Sequence, residues 1–301
     1  MRVIITGGTG LVGRALMEDL IADGYHVSVL SRTPERATGL PSGARVVGWD
    51  ARSAEGWGSL ADGSDAIVNL AGESIFGRWT PARKGRIRES RVNAGRAVVE
   101  AVELAEVKPR LVVQASGMGY YGHRGDELIT EEASAGEDYL GRTAVEWEAS
   151  TAPVESLGVR RVVIRSGVVL SRDGGAFPLM ALPFRLFVGG PLGDGDQWLP
   201  WIHIADEVRS IRFLMEMEEA HGPFHLTAPE PLTNADFSRV LARVLRRPAF
   251  FRVPAFAVRL LLGQMSVVVL EGQRAVPRRL RDLGFDFRFP EGEAALRDLL
   301  E

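Results

Sequence analysis

The sequence contains no cysteine. That excludes disulfides, thiolate metal sites and a cysteine nucleophile, and it says little about compartment. Lysine is nearly as scarce. Of 36 basic residues only Lys84 and Lys108 are lysines, and the other 34 are arginine, so lysine-dependent chemistry is confined to two positions. The five histidines are scattered and suggest no metal site. No apolar stretch reaches the roughly 20 residues of a membrane span. The chain opens on a strand-like run rather than a signal peptide. There is no large charge excess either: the formal net charge of −3 gives no general reason to expect nucleic acid or an anionic membrane as a partner. A cytoplasmic protein acting on a small molecule, without a metal, is the expectation.

What is present starts at the first residues. Arg2-Val-Ile-Ile-Thr6 is a short apolar run rich in β-branched residues, Gly7-Gly-Thr-Gly10-Leu-Val-Gly13 follows at once, and Arg14 to Leu20 reads as helix. A buried strand, a glycine turn and a helix start are what a dinucleotide phosphate site requires. Gly7 suits a tight turn, Gly10 lets backbone approach a pyrophosphate, and Gly13 lets the helix pack on the strand. Gly7, Thr9, Gly10, Leu11, Val12 and Gly13 are therefore the expected phosphate cradle, with free N–H groups and the positive end of the helix dipole facing the ligand.

Strand-like runs near 2–6, 26–31, 44–49, 65–70, 110–115 and 160–165 alternate with helix-like runs near 11–23, 81–106 and 139–156. That alternation predicts a doubly wound parallel sheet covered on both faces, with ligands beyond the carboxyl ends of the strands. Polar and small residues cluster at those ends: Gly7, Ser31-Arg32, Asp50, Asn69 to Gly72, Ser116 and Arg165-Ser166. From about 170 glycine and proline punctuate the chain, as in loops that cover a site. A helix is expected near 233–246, starting at Thr233-Asn234.

Several strand ends carry specific expectations. Enzymes of this fold that use NAD often place an acid after the second strand for the ribose 2′-hydroxyl. Here Ser31 is followed by Arg32, with Arg36 one turn on, and a guanidinium pairs with a 2′-phosphate, which favours NADP(H). Leu70, Ala71 and Gly72 let backbone pass close to the cofactor, and among Arg86, Arg88 and Arg91 two or three are candidates to face phosphate, Arg86 and Arg91 foremost. Ser116 ends the fifth strand, a position that resembles the serine of the short-chain dehydrogenase/reductases, which polarises a substrate oxygen; the same resemblance makes Tyr139, 23 residues later near a helix start, the candidate acid/base. Threonine stands four residues after it, at Thr143, where that family's lysine belongs, so the Ser/Tyr/Lys triad is incomplete. Tyr120 and Tyr121 line a pocket or pack a loop. Arg165 anchors a substrate anion or pairs with an acidic neighbour. His203, in His203-Ile-Ala-Asp206, contacts substrate or caps a helix.

These features resemble the extended short-chain dehydrogenase/reductases, and more narrowly an atypical branch described as epimerase family proteins. The stretches that carry the resemblance are Thr6 to Gly13, Val68-Asn-Leu-Ala-Gly-Glu-Ser-Ile75 with Arg78-Trp79, Gly119-Tyr-Tyr-Gly122 and Arg165-Ser-Gly-Val-Val-Leu170. It continues through Pro183 to Leu186, Gly189-Gly-Pro191, Pro200-Trp-Ile-His-Ile204, Leu270-Glu-Gly-Gln273 and Pro277-Arg-Arg279. The resemblance implies NADP(H) held by residues matching Ser31, Arg32, Leu70, Ala71, Arg91 and Val169, and a branch that commonly lacks the Tyr-x-x-x-Lys signature. It also implies a short C-terminal segment of undefined role, at about 250–297.

The expectation is an α/β Rossmann protein with a nucleotide-binding domain over 1–235, of which 170–235 contributes to a substrate lobe, and a small C-terminal domain over 250–297. It transfers hydride at a hydroxyl or carbonyl carbon of a small molecule, a sugar nucleotide being one candidate, as a monomer or homodimer. Two rivals stand beside it: an NADPH-binding sensor without turnover, and an interaction protein that docks a partner through the basic run Arg274 to Arg281.

Overall fold

Seven strands form one parallel sheet: β1 (Arg2–Thr6), β2 (His26–Ser31), β3 (Arg45–Gly48), β4 (Ala66–Asn69), β5 (Leu111–Gly117), β6 (Arg160–Ser166) and β7 (Gly222–Leu226). Their spatial order is β7-β6-β5-β4-β1-β2-β3. The computed structural model describes all 301 residues. The chain winds one way from β1 to β3 and the other way from β4 to β7, so the order reverses between β1 and β4, and ligands of such sheets bind where it reverses. Register puts Thr6 opposite both Leu30 and Asn69 there.

Side-chain alternation builds the two faces. Val3, Ile5, Val29, Val68 and Ile164 point to one side, where α1 (Leu11–Ala22) contributes Leu16, Met17 and Leu20. Ile4, Leu30, Ile67 and Val112 point to the other, against Ala94, Val98 and Val102 of α2 (Pro81–Leu104) and the buried Trp57. Burying such side chains stabilises the fold by about 1.5–3 kcal/mol each. Helix starts follow the local chemistry: Pro81 occupies the first turn of α2 behind its cap Thr80, and the Asp138 carboxylate accepts from Gly141 N–H at 2.7 Å to start α3 (Tyr139–Ala149).

Six expected strands and the α1 and α2 spans hold within a residue or two at most ends. The expected 139–156 helix stops at Ala149 and continues as 3₁₀ turns over Ala152–Leu157, because Pro153 supplies no N–H to a longer ladder. Gly222-Pro223 hides strand β7. It lies at the sheet edge, where a proline costs no ladder bond.

Beyond β6 a second core gathers α4 (Phe177–Arg185), α6 (Asn234–Leu245) and the C-terminal helix Gly292–Leu300 around Phe177, Phe184, Trp201, Phe237 and Leu296, with α5 (Ile204–Glu216) joining it to the sheet. Residues after 250 begin with α7 (Ala255–Leu262) and thread back through the whole molecule. Arg274–Ala275 pairs with Leu128–Ile129, and Leu280 and Phe285 join the core on the α1 side of the sheet. No helix is long and apolar enough to cross a membrane.

Candidate functional site

The glycine turn sits at the reversal point, and its geometry leaves no room for a side chain at Gly7 or Gly13. Gly7 has φ of +67°, and a Cβ there would lie 2.7 Å from the Leu70 carbonyl oxygen. A Cβ on Gly13 would lie 2.6 Å from the Gly7 carbonyl oxygen. Strand β1, the first turn of α1 and the end of β4 therefore meet backbone to backbone. Helix α1 has no acid in its first turn and no side-chain cap, and the N–H groups of Leu11, Val12 and Gly13 donate to nothing else. That is a concentration of unspent donors at a positive dipole end. Arg14 holds the turn in place, donating from Nε to the Thr9 carbonyl at 2.9 Å and from Nη1 to the carbonyls of Thr38 and Gly39.

Below the turn runs a buried hydrogen-bond chain across three strands. Thr6 Oγ1 donates to Asn69 Oδ1 at 2.6 Å, Asn69 Nδ2 donates to Gln114 Oε1 at 2.8 Å, and Ala71 N–H donates to Thr6 Oγ1 at 3.2 Å. It fixes Leu70 and Ala71 against the glycine turn. Gln114 is a member that nothing in its local sequence marked.

Around this floor the expected contacts divide. Ser31 is buried and its hydroxyl accepts from Thr33 N–H at 3.2 Å, while Arg32 and Arg36 are exposed, with no ion pair. Asp50 turns its carboxylate inward on its own loop, accepting from the N–H groups of Arg52 and Ser53, and these bonds hold it below the usual carboxylate range. Arg91 lies under Gly72 and donates to the carbonyls of Glu73 and Ile87, both at 2.9 Å. No carboxylate oxygen reaches it, and burial pushes its guanidinium down to about 10, still charged at neutral pH. Arg86 is different from expectation: it is exposed and pairs with Glu73 at 3.4 Å, while Arg88 pairs with Glu146. Val169 lies in the short strand Val168–Leu170, and the following Gly174-Gly175 turn rests on Leu11, so the second lobe reaches the glycine turn.

At the other end, Ser116 and Tyr139 are not joined. Ser116 Oγ donates to Glu148 Oε1 at 2.6 Å. Tyr139 stands nine residues before Glu148 on α3, roughly 13 Å along the axis. Its hydroxyl donates to the Lys84 carbonyl at 2.9 Å, and its ring packs edge-on to Trp79. Burial raises its pKa.

Arg165, Tyr121 and His203 are corrections of the expected substrate contacts. Arg165 is bidentate to Glu148, with Nε to Oε1 at 2.9 Å and Nη2 to Oε2 at 2.8 Å. Its Nη1 donates to the Tyr121 hydroxyl at 2.6 Å, which in turn meets His225 Nε2. Four of its five N–H groups are spent, the fourth on the Glu131 carbonyl at 3.2 Å, and the side chain is buried, so it is built into the fold rather than held open for a substrate anion. Tyr121 is wholly buried, whereas Tyr120 keeps a partly open ring stacked on Arg165, 3.5 Å from its centroid. His203 caps α5, its Nδ1 accepting from Ala205 N–H at 3.1 Å, and its Nε2 faces Asp298. Asp206 ties down the far loop by accepting from the N–H groups of Arg288 and Phe289.

Three buried groups at this end escaped the sequence reading. Burial pushes the Glu207 carboxyl up to about 8, its one polar contact being the Ser166 hydroxyl at 2.6 Å. Burial also lowers His225 to about 4 and raises Glu131, which accepts from the N–H groups of His225 and Arg279. Each meets its partners across more than 40 positions of chain, or faces a residue on another element, so no local spacing announces them.

Comparison with known proteins places this geometry. Residues 3–226 match the NAD dependent epimerase/dehydratase family. The chain belongs to that family. Residues 253–299 match a domain of unknown function, DUF1731. Over its full length the chain is 39% identical to the epimerase family protein YfhF of Bacillus subtilis, covering 98% of that protein. It is 38% identical to an epimerase family protein SDR39U1 homolog, chloroplastic, of Arabidopsis thaliana, covering 87% of it. Among solved structures, human epimerase family protein SDR39U1 (isoform 2) with NADPH superposes with a TM-score of 0.90 at 36% identity, 99% of each chain being covered. The fold and the branch read from the sequence are thus borne out.

Proposed function

We propose that this chain binds NADP(H) in the crevice between β1 and β4 and is an extended short-chain reductase by descent. The observation that carries this is the glycine turn, where backbone packing excludes a Cβ at Gly7 and Gly13 while three amide donors stay unspent. In this reading the diphosphate lies over Gly7 to Gly13, Arg32 and Arg36 take the 2′-phosphate, Leu70 to Gly72 and Arg91 border the ribose and phosphates, and Val169 marks the nicotinamide end. The residues fit the group: the cradle is shaped, the Arg32 and Arg36 guanidinium groups outnumber Glu35, the one acid between them, and the Asp50 carboxylate after β3 is tied to its own loop. SDR39U1 of human, solved with NADPH, supports the same reading.

Bound there, the nicotinamide supplies or takes hydride at a hydroxyl or carbonyl carbon. Ser116 is the chain's candidate for the substrate oxygen, and Tyr139 is not assigned the acid/base role, since its hydroxyl is spent on Lys84. A cavity of about 510 Å³ lined by Asp126, Asp194, Asp196, Gln197, Trp198 and Arg259 offers hydrogen-bonding groups to a polyhydroxylated substrate. A second reading, cofactor binding without turnover, is favoured by the engagement of the Ser116 hydroxyl with Glu148 and by the missing lysine. Fluorescence titration tests the binding. NADPH should bind at least about tenfold more tightly than NADH, and Arg32→Asp should remove that preference while sparing NADH. Equal loss of both cofactors in the variant overturns the 2′-phosphate assignment.

A further inference from the structure

Sixteen large apolar side chains are exposed in this chain, and ten of them fall in two segments, residues 179–188 and 250–261. Leu182, Leu186 and Phe187 represent the first, and Phe250, Phe256 and Leu260 the second, with Leu260 86% exposed and Leu261 82%. The segments are stitched into one surface. Phe251 N–H donates to the Gly189 carbonyl at 3.2 Å, Val253 N–H donates to the Pro191 carbonyl at 3.0 Å, and the Arg247 guanidinium lies 4.3 Å over the Phe187 ring. Helix α7 supplies Phe256, Leu260 and Leu261 and buries only Val258 beneath them. Monomeric soluble proteins rarely leave so large an apolar patch uncovered unless it binds something.

Charge says what it binds. The face itself, residues 177–191 and 246–262, carries five arginines and no acid, with Asp194 and Asp196 at its border across a cavity from Arg259, whereas the whole chain is −3, so the remainder carries −8. Those arginines, Arg185, Arg246, Arg247, Arg252 and Arg259, are all exposed, and none pairs with a carboxylate. The basic run Arg274 to Arg281, by contrast, is largely consumed inside the fold: Arg274 stacks on Trp198, Arg278 faces Glu132 and Asp282, and Arg279 donates to the carbonyls of Pro223 and His221. Exposed apolar side chains ringed by unpaired guanidinium groups are the pattern of a surface that lies on an anionic bilayer, the apolar groups entering the headgroup boundary and the cations pairing with lipid phosphates. A second copy is a poor occupant, because a two-fold contact would press five arginines against five with no acid between them.

We infer that this face, built from α4, the 186–191 loop and the 246–262 segment, docks the protein peripherally on anionic membranes. The whole-chain charge concealed it. Co-sedimentation of the full chain with phosphatidylglycerol/phosphatidylcholine vesicles tests it against pure phosphatidylcholine. Binding to the anionic vesicles should be at least about tenfold tighter and should weaken as salt rises. The double variant Leu260→Glu/Leu261→Glu should lose at least about tenfold in binding with its melting temperature unchanged, both side chains being almost wholly in solvent. Arg246→Gln/Arg252→Gln should lose binding on anionic vesicles alone. Failure of the wild type to sediment with anionic vesicles overturns the inference, as does equal binding to both lipids. A wild-type dimer that the Leu260/Leu261 variant turns into monomer, without vesicle binding, assigns the face to a second copy instead.

Discussion

At the phosphate end of the crevice the chain presents amide hydrogens at Leu11, Val12 and Gly13 and guanidinium groups at Arg32 and Arg36 that no other residue uses. At the far end Ser116, Glu148, Arg165, Tyr121 and His225 are already satisfied by one another. Unspent donors at a helix start are costly to leave without a partner unless a ligand or solvent takes them, so the first end is shaped by something outside the chain. A closed network has no such need, and it rigidifies the sheet whether or not a substrate arrives. The difference separates binding from chemistry: cofactor capture is built into backbone geometry, whereas the proposed role of Ser116 has its hydroxyl trade Glu148 for a substrate oxygen.

The largest expected effect breaks the closed end. Arg165→Leu strands the Glu148 carboxylate in a site where the Arg165 and Glu148 side chains are 5% and 13% exposed. Loss of one partner of such a pair costs about 3–5 kcal/mol, to be read by urea unfolding. The double variant Glu148→Leu/Arg165→Leu should recover a good part of that loss. NADPH affinity of the folded protein should stay within about threefold of wild type, which is less than 0.7 kcal/mol. A collapse of affinity in protein that remains folded would mean that the two ends are one unit.

Gly10→Asp attacks the open end. Gly10 caps α1 with extended backbone, and a Cβ there meets only the Gly7 carbonyl oxygen, at 3.2 Å. An aspartate is a good helix cap, so thermal stability should hold within about 1 kcal/mol. Its carboxylate would occupy the space of a phosphate, and NADPH binding should fall by about 100-fold or more by calorimetry. Retained binding would remove the diphosphate from the glycine turn.

Glu207→Gln sharpens the comparison through pH. The native carboxyl titrates at about 8 against an ordinary value of 4.5, so the folded state holds a proton that the unfolded chain releases. Its contribution is fully present below about pH 4.5 and is lost as pH rises through about 8. The variant, neutral throughout, should therefore gain on wild type across that window, on the order of 4 kcal/mol by pH 8, read from unfolding midpoints between pH 5 and 9. An unchanged pH slope would mean that water or a cation reaches Glu207.

The parts legible in the sequence are those that local pattern controls. Strand periodicity, the glycine turn, Arg32 after β2, and Thr233 as a helix cap all act within a few residues of themselves, and all appear where the sequence put them. The His203 and Arg165 alternatives were readable as types but not as choices. Whether Arg165 meets a ligand or Glu148 depends on α3 packing beside β6, which no spacing encodes. The apolar cationic face was hidden for the opposite reason. Its two segments lie about 70 positions apart and only the fold adds their charges together.

Tyr139→Phe carries the smallest expected effect and the sharpest meaning. Position alone recommends this tyrosine: it opens a helix 23 residues after the serine of β5. Contacts do not. The hydroxyl donates to a main-chain carbonyl, the Lys84 ammonium lies 4.8 Å over the ring rather than near the oxygen, and desolvation raises the pKa where a proton carrier needs it lowered. Removing the hydroxyl should cost about 0.5–1.5 kcal/mol of stability and leave NADPH affinity unchanged. With a reducible carbonyl compound in hand, NADPH oxidation should stay within about twofold of wild type, because an acid/base group contributes about 100-fold or more when it acts. A loss of that size, in protein that still binds NADPH, would return Tyr139 to the chemistry and require α3 to shift toward Ser116 when substrate binds.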